Sequence, residues 1–364
     1  MSVTYQGADY ELAWPRRLFV SEAAALLNGR TRQDWNDRCE FLLEDAFMGP
    51  APRDDFQFQL ASGRNPTNPV LTGGQVFLRQ LMNGAASLRE AVVQRRPYWS
   101  ERHVGRGAGP AGLQATARQF ADLVGRLVTR GYFEKAFDKD CVDDPAVVDP
   151  AQLLERALGV PGLWPLVPKR LAEDLDVFCD VVEVLHDLVA RPRARWMHSY
   201  AGCGWHHSDF SLEAGRVLYR WQVNILLEGS DLGLRLADEG EDVGRLVAAT
   251  DPARSDLLRA MAQRDDTIGD RVRHAIVLYR ARQATEHDKR SAVIVLSGVL
   301  EERRKLIKAE LLSKDEDDLF MVANKFGIRH QSEQQKRDYS VEFLDWIFWW
   351  YLATIELTDR LGTR

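Results

Sequence analysis

Cysteine is scarce in this 364-residue chain, and the four present (Cys39, Cys141, Cys179 and Cys203) are scattered, with no CxxC pair among them. No apolar targeting core stands near the N-terminus, where Asp9, Glu11, Arg16 and Arg17 occur instead. Together these absences predict a reduced, cytoplasmic protein. Long hydrophobic runs are missing too. The longest, Trp346 to Ile355, has ten residues, about half of a membrane span, so a soluble protein is expected. There is no basic excess either: the net charge of −6 excludes a chain built throughout to coat nucleic acid, while a local basic site stays open because charge acts where it is placed. What is present is ordinary for a globular protein, with 45% hydrophobic and 28% charged residues and enough length for two or three domains.

Periodicity is mostly helical. Ser21–Asn28, with Ser21 as N-cap, Asp34–Phe47 and Gln75–Gln94 read as helices. The Pro-, Gly- and Asn-rich stretch 49–74 reads as connection, with Phe56–Leu60 alternating like a short strand. Ala111–Arg130 is the next helix, closed by Gly131 in a left-handed cap, and Tyr132–Pro150 is an acidic loop. A helix over Lys169–Ala190 buries Val177, Val181, Val184 and Leu188, and another follows over Leu212–Glu228. Residues 232–247 alternate around an Asp238-Glu239-Gly240 turn. Helix, helix and hairpin make a winged-helix outline, but residues 201–250 hold eight acids against four arginines, which would repel phosphates. A protein-contact or sensing module is the better expectation.

Three motifs need weighing. Residues 95–106 carry Arg95, Arg96, Arg102, Arg106, His103, Tyr98 and Trp99 against one acid. That mix suits phosphate contact and base stacking, and equally a solvated helix exit. Gly107 to Gly112 matches GxGxxG literally, yet charged residues precede it and Pro110 lacks an N–H, so a linker is expected. In His198–Asp209, the side chains of His198, Cys203, His206 and Asp209 are of zinc-ligand type. The glycines and Trp205 argue instead for a packed loop whose imidazoles bond to backbone, and no metal or cofactor is expected.

From Asp251 four helices can be drawn: Thr267–Glu286, Lys289–Leu312, Lys314–Phe326 and Val341–Leu361. Short connections predict an up-and-down bundle. Val293, Leu296, Leu300, Ile307 and Leu311 form an inward stripe with Arg303 in the remaining place and Arg304 beside it. An inward guanidinium needs an anion. Either the bundle's own acids (Glu301, Glu302, Asp345) supply it, or a bound phosphate does. The third helix leads to Asn324, Arg329 and His330. An imidazole can move the 2′-hydroxyl proton, a guanidinium can steady charge on phosphorus, and an Asn can orient either, which is the chemistry of metal-independent RNA cleavage. The fourth helix is apolar nearly all round, which suits an interface with the middle domain or with a second copy.

Residues 323–339 (ANKFGIRHQSEQQKRDY) followed by FLDWIFWWYLATIELTDRL resemble the HEPN-type domain of abortive-infection proteins related to AbiJ. GYFEKAFDKDCVDDP, FCDVVEVLHDLVARPRARW, CGWHHSDF and GRVLYRWQVNILLEGSDLGLRLADEGEDVGRLV resemble the helical module joined to such domains in bacterial conflict systems. The resemblance runs from about Gln114 to the end. It implies a mainly α protein with a HEPN-like C-terminal bundle over 251–364, a helical module with a small hairpin over 107–250, and a segment of unassigned role over 1–106. It also implies a metal-independent ribonuclease effector of a phage-defence or toxin-like system, a homodimer through the bundle, no cofactor, and RNA or a protein partner. Asn324 takes the motif's polar place and His330 its His. Ala323 stands where the motif has Arg, so either Arg329 or Arg303 substitutes, or the domain is a non-cutting sensor or adaptor. Arg304, Arg95, Arg96 and Arg102 are the expected RNA contacts.

Overall fold

The computed structural model describes residues 8–61, 71–91, 111–143, 145, 148–240, 242–249, 254, 257–258, 260–261, 267–281, 284–310, 318–322 and 341–362. The chain is mainly α-helical, with two small antiparallel hairpins. It divides into two compact units, Met1–Gly233 and Leu234–Arg364.

The first unit begins with α1 (Arg16–Asn28), α2 (Trp35–Ala46), α3 (Ala51–Ala61) and α4 (Gly73–Asn83). Helix α1 starts five residues before Ser21, the expected cap, and buries Leu18, Phe19, Ala23 and Leu27 at helical spacing. The strand expected at Phe56–Leu60 is part of α3. Phe56 is buried and Phe58 is exposed, so the apparent alternation has only one inward aromatic. A Cβ on Gly74 would lie 2.8 Å from both Leu60 and Phe56 side-chain atoms, so α3 and α4 approach as closely as they do because that residue has no side chain. Helix α4 starts with a reciprocal capping box between Thr72 and Gln75 and ends at Asn83, short of the expected Gln94, capped by Gly84, whose N–H reaches the Gln80 carbonyl.

Next come α5 (Leu113–Thr129), α6 (Pro150–Leu158), α7 (Leu175–Leu188), β1 (Arg191–His198), β2 (Gly204–Ser211) and α8 (Leu212–Glu228). Gly131 takes φ +79° at the end of α5, as expected. Helix α7 is shorter than expected, because its N-cap Asp174 breaks the chain and accepts from the Asp176 N–H at 2.8 Å. Its inward face is Phe178, Val181, Val182 and Leu185, shifted from the Val177/Val184/Leu188 stripe because Phe178 edges onto Phe120 (5.5 Å, 78°), which in turn meets Tyr219. The largest correction concerns 198–209, expected as a packed loop: it is most of a β-hairpin.

The described part of residues 1–106, the segment of unassigned role, belongs to this same unit. Charged groups on its helices meet partners far along the chain. Glu22 accepts from Arg191 (2.5 Å) and Arg193 (2.6 Å), Asp45 from Tyr132 (2.5 Å), and Arg38 pairs with Asp209.

The second unit contains β3 (Leu234–Leu236), β4 (Leu246–Ala248), α9 (Thr267–Arg280), α10 (Glu286–Glu302), α11 (Arg304–Glu310), a helical turn at 318–322 and α12 (Val341–Gly362). The β3–β4 hairpin belongs here and not with the helices before it: Leu236, Leu246 and Val247 are buried, and Val247 bridges to Ala281. The winged-helix outline therefore spans two units and is not one module. A single core gathers Val272 and Ile276 of α9, Val293, Leu296 and Leu300 of α10, and Leu344, Phe348 and Leu352 of α12. Tyr279 stacks on Phe348 at 3.7 Å. Among the described residues no helix is long and apolar enough to cross a membrane.

Candidate functional site

Of the residues expected to act in the C-terminal part, Arg303 and Arg304 are described. Asn324, Arg329 and His330, like Arg95, Arg96 and Arg102, lie outside the described residues. Arg303 caps α10, and its side chain is 12% exposed. One guanidinium nitrogen donates to the Ile355 carbonyl (3.0 Å) and the Thr358 hydroxyl (2.7 Å) and lies 2.6 Å from the Asp359 carboxylate. The bundle's own acid thus meets the inward arginine, but it is Asp359 and none of the three expected. Asp345 accepts from Tyr279 (2.8 Å) and Lys289 (2.9 Å), Glu302 pairs with Arg271, and Glu301 lies 3.8 Å from Arg304. Burial pushes the Tyr279 phenol well above its ordinary value, and the Asp345 carboxylate adds to the effect. Arg304 lies over the Phe320 ring at 4.4 Å.

The outer face of α12 is aromatic. Phe343 and Trp346 are about half exposed, and Trp346 stacks on Trp350 at 5.2 Å. This pair separates two clefts, of about 570 Å³ beside Arg254, Tyr279 and Asp345, and about 520 Å³ beside Leu319, Met321 and Leu357.

The chemically densest cluster in the first unit is at the turn end of the β1–β2 hairpin. His198 pairs with Gly204 and Trp196 with His206. Because directly opposed residues share a face and alternate residues repeat it, His198 and His206 project on the same side. The turn uses left-handed backbone at Ala201 (φ 50°) and Gly202 (φ 76°) and brings Cys203 round to them. Cys141 arrives from the acidic loop, which is tied down where the Lys139 ammonium donates to the Trp205 carbonyl. Cys141 Sγ lies 3.2 Å from His198 Nδ1 and 3.5 Å from Cys203 Sγ. The donor atoms of Cys141, His198, Cys203 and His206 all fall within 4.8 Å of one another. The Asp143 backbone N–H, helped by Cys203 and His198, holds the Cys141 thiol below its ordinary range against the opposing effect of desolvation.

Trp196 covers one flank of the cluster, stacked on His206 at 4.5 Å. Asp143 Oδ2 stands 3.3 Å from His198 Nε2. His206 Nε2 is buried and has no hydrogen-bond partner. Of the ligand types singled out from sequence, His198, Cys203 and His206 converge, whereas Asp209 is held by Arg38. His207 is also elsewhere, its Nδ1 2.6 Å from Glu134 Oε2. Cys141 went unrecognised because it stands 57 residues before His198 with no local spacing signal.

The same unit has a small arginine-lined cavity of about 150 Å³, where Arg38, Arg191 and Arg193 face Glu22 and Asp209. Its charges are mutually paired and hold α1 and α2 to the hairpin. A search among known proteins found no matching family model, no matching curated protein and no matching solved structure.

Proposed function

We propose that this chain is a cytoplasmic HEPN-like sensor or adaptor of a phage-defence or toxin-like system, binding RNA or a protein partner without cutting. The observation that carries this reading is the commitment of Arg303. A guanidinium that stabilises a phosphorane must offer its charge to the substrate. Here the Asp359 carboxylate at 2.6 Å, the Thr358 hydroxyl and the Ile355 carbonyl take it up. With Ala323 in the motif's Arg place, the residue nominated to substitute serves the bundle. The exposed aromatics Phe343 and Trp346 on α12 supply a docking face for a second copy of the chain.

The ribonuclease reading has one observation in its favour. Arg304 is stacked on Phe320, ten residues before His330, so a guanidinium neighbours the helical turn that leads into the motif. The deciding experiment incubates bulk cellular RNA with the purified full chain and a chelator, comparing wild type with His330→Ala. The adaptor reading expects identical, background-level RNA profiles. Cleavage lost in His330→Ala would replace it with the ribonuclease.

A further inference from the structure

We propose that Cys141, His198, Cys203 and His206 bind one zinc ion in a closed tetrahedral centre that fastens the acidic loop to the tip of the β1–β2 hairpin. The inference is independent of whether the C-terminal bundle cuts RNA.

Geometry is the first argument. Tetrahedral zinc with Zn–S of about 2.3 Å and Zn–N of about 2.05 Å requires S···S near 3.8 Å, S···N near 3.5 Å and N···N near 3.3 Å. The structure has Sγ···Sγ 3.5 Å and Sγ···Nδ1 3.2 Å. The widest donor separation is below 4.8 Å, so closing the tetrahedron takes side-chain rotations of about an ångström.

The second argument is the chemistry of the donors. A Cys141–Cys203 disulfide would use two of the four groups and leave both imidazoles unexplained. A metal engages all four, and it gives the buried, partnerless Nε2 of His206 what a buried imidazole nitrogen otherwise lacks. Two thiolates with two imidazoles suit zinc over magnesium or calcium, which prefer oxygen donors. The surroundings fit as well: with Nδ1 of His198 on the metal, Nε2–H is left to donate to Asp143, the carboxylate–imidazole pairing that orients metal-bound histidines.

Four protein ligands leave no open position for water, so the centre is structural and not hydrolytic. On binding, the thiol protons pass to solvent and the thiolates take the metal. The ion joins two pieces of chain more than fifty residues apart and clamps the acidic loop onto the hairpin's turn.

The test uses full-length chain purified with reductant and without chelator. Elemental mass spectrometry should find about one zinc per chain. Cys141→Ser, Cys203→Ser and His206→Ala should each lower occupancy at least about tenfold, and Asp143→Asn about tenfold in affinity. Asp209→Asn, at a residue of ligand type that the fold sends to Arg38, should leave occupancy unchanged. Should a ligand variant fail to fold, wild type decides the matter: cobalt added to the stripped chain should produce the intense visible bands of a tetrahedral thiolate site. Chelation should also speed hydrogen exchange in 138–143 and 199–203. Zinc well below stoichiometry with no cobalt bands, occupancy indifferent to Cys141→Ser, or a Cys141–Cys203 disulfide in the purified protein would each overturn the proposal.

Discussion

Replacing Arg303 separates a structural from a catalytic guanidinium. In Arg303→Met the aliphatic stem is kept and the charge is lost. Asp359, 25% exposed, loses its 2.6 Å partner, while Thr358 and the Ile355 carbonyl lose one donor each. The last two retain each other, because the Thr358 hydroxyl donates to Ile355 O at 2.7 Å. Most of the cost therefore sits on Asp359. A hydrogen bond to a charged group contributes about 1.5–3 kcal/mol, and partial exposure of the acid softens the loss, so Arg303→Met should cost about 2–3 kcal/mol. Asp359→Asn should cost less, and the double variant should fall short of the sum by about 1 kcal/mol, since the two side chains share one interaction. The assay is urea unfolding of the full chain, with hydrogen exchange in α10 and α12 assigning the transition to the second unit. A loss below about 0.5 kcal/mol, combined with a lost activity, would refute the reasoning, because residues poised for substrate seldom stabilise the fold that holds them.

Glu22→Gln should destabilise the first unit by about 2 kcal/mol: breaking a buried ion pair costs about 3–5 kcal/mol, and here Arg191 keeps Asp45 at 3.9 Å as a second acid. Calorimetry of the variant beside Arg193→Ala, whose guanidinium is 36% exposed, should show the larger loss for Glu22. His186 titrates low, at about 4, because burial opposes its charge; the Asp187 hydrogen bond pulls the other way, and Arg220 adds repulsion. Its folded value lies below the unfolded value of about 6.5, so the unfolded chain binds the extra proton between the two. The stability it contributes is full above about pH 6.5 and is lost as pH falls toward about 4, amounting to about 2 kcal/mol after solvent screening. Urea midpoints at several pH values should fall more steeply for wild type than for His186→Gln.

Sequence reading succeeded where the signal is local. The stripe of Val293, Leu296 and Leu300 on α10 and Ile307 on α11 is buried as its spacing requires, although the one helix expected over Lys289–Leu312 is broken in two at Arg303. Gly131 takes the left-handed cap, and α12 runs over nearly the expected residues. Errors arose where two local patterns compete. Phe56-Gln57-Phe58-Gln59-Leu60 fits a strand by alternation and a helix by the Phe56/Leu60 pair, and packing against Gly74 chooses the helix. In α7 the valines offer one stripe, and the ring of Phe178, larger than any of them, claims the core by edging onto Phe120.

Composition and periodicity alone determined the helical class, because burying one face of a helix is a condition on neighbours three and four residues apart. Which charge meets which was decided only by the tertiary structure. Asp359 reaches Arg303 across 56 residues, Arg38 takes Asp209 across 171, and Cys141 joins two histidines and a cysteine on a hairpin whose register sets their common face. Ion pairs and metal ligands act over a few ångströms in space whatever their separation along the chain, so no sequence period records them.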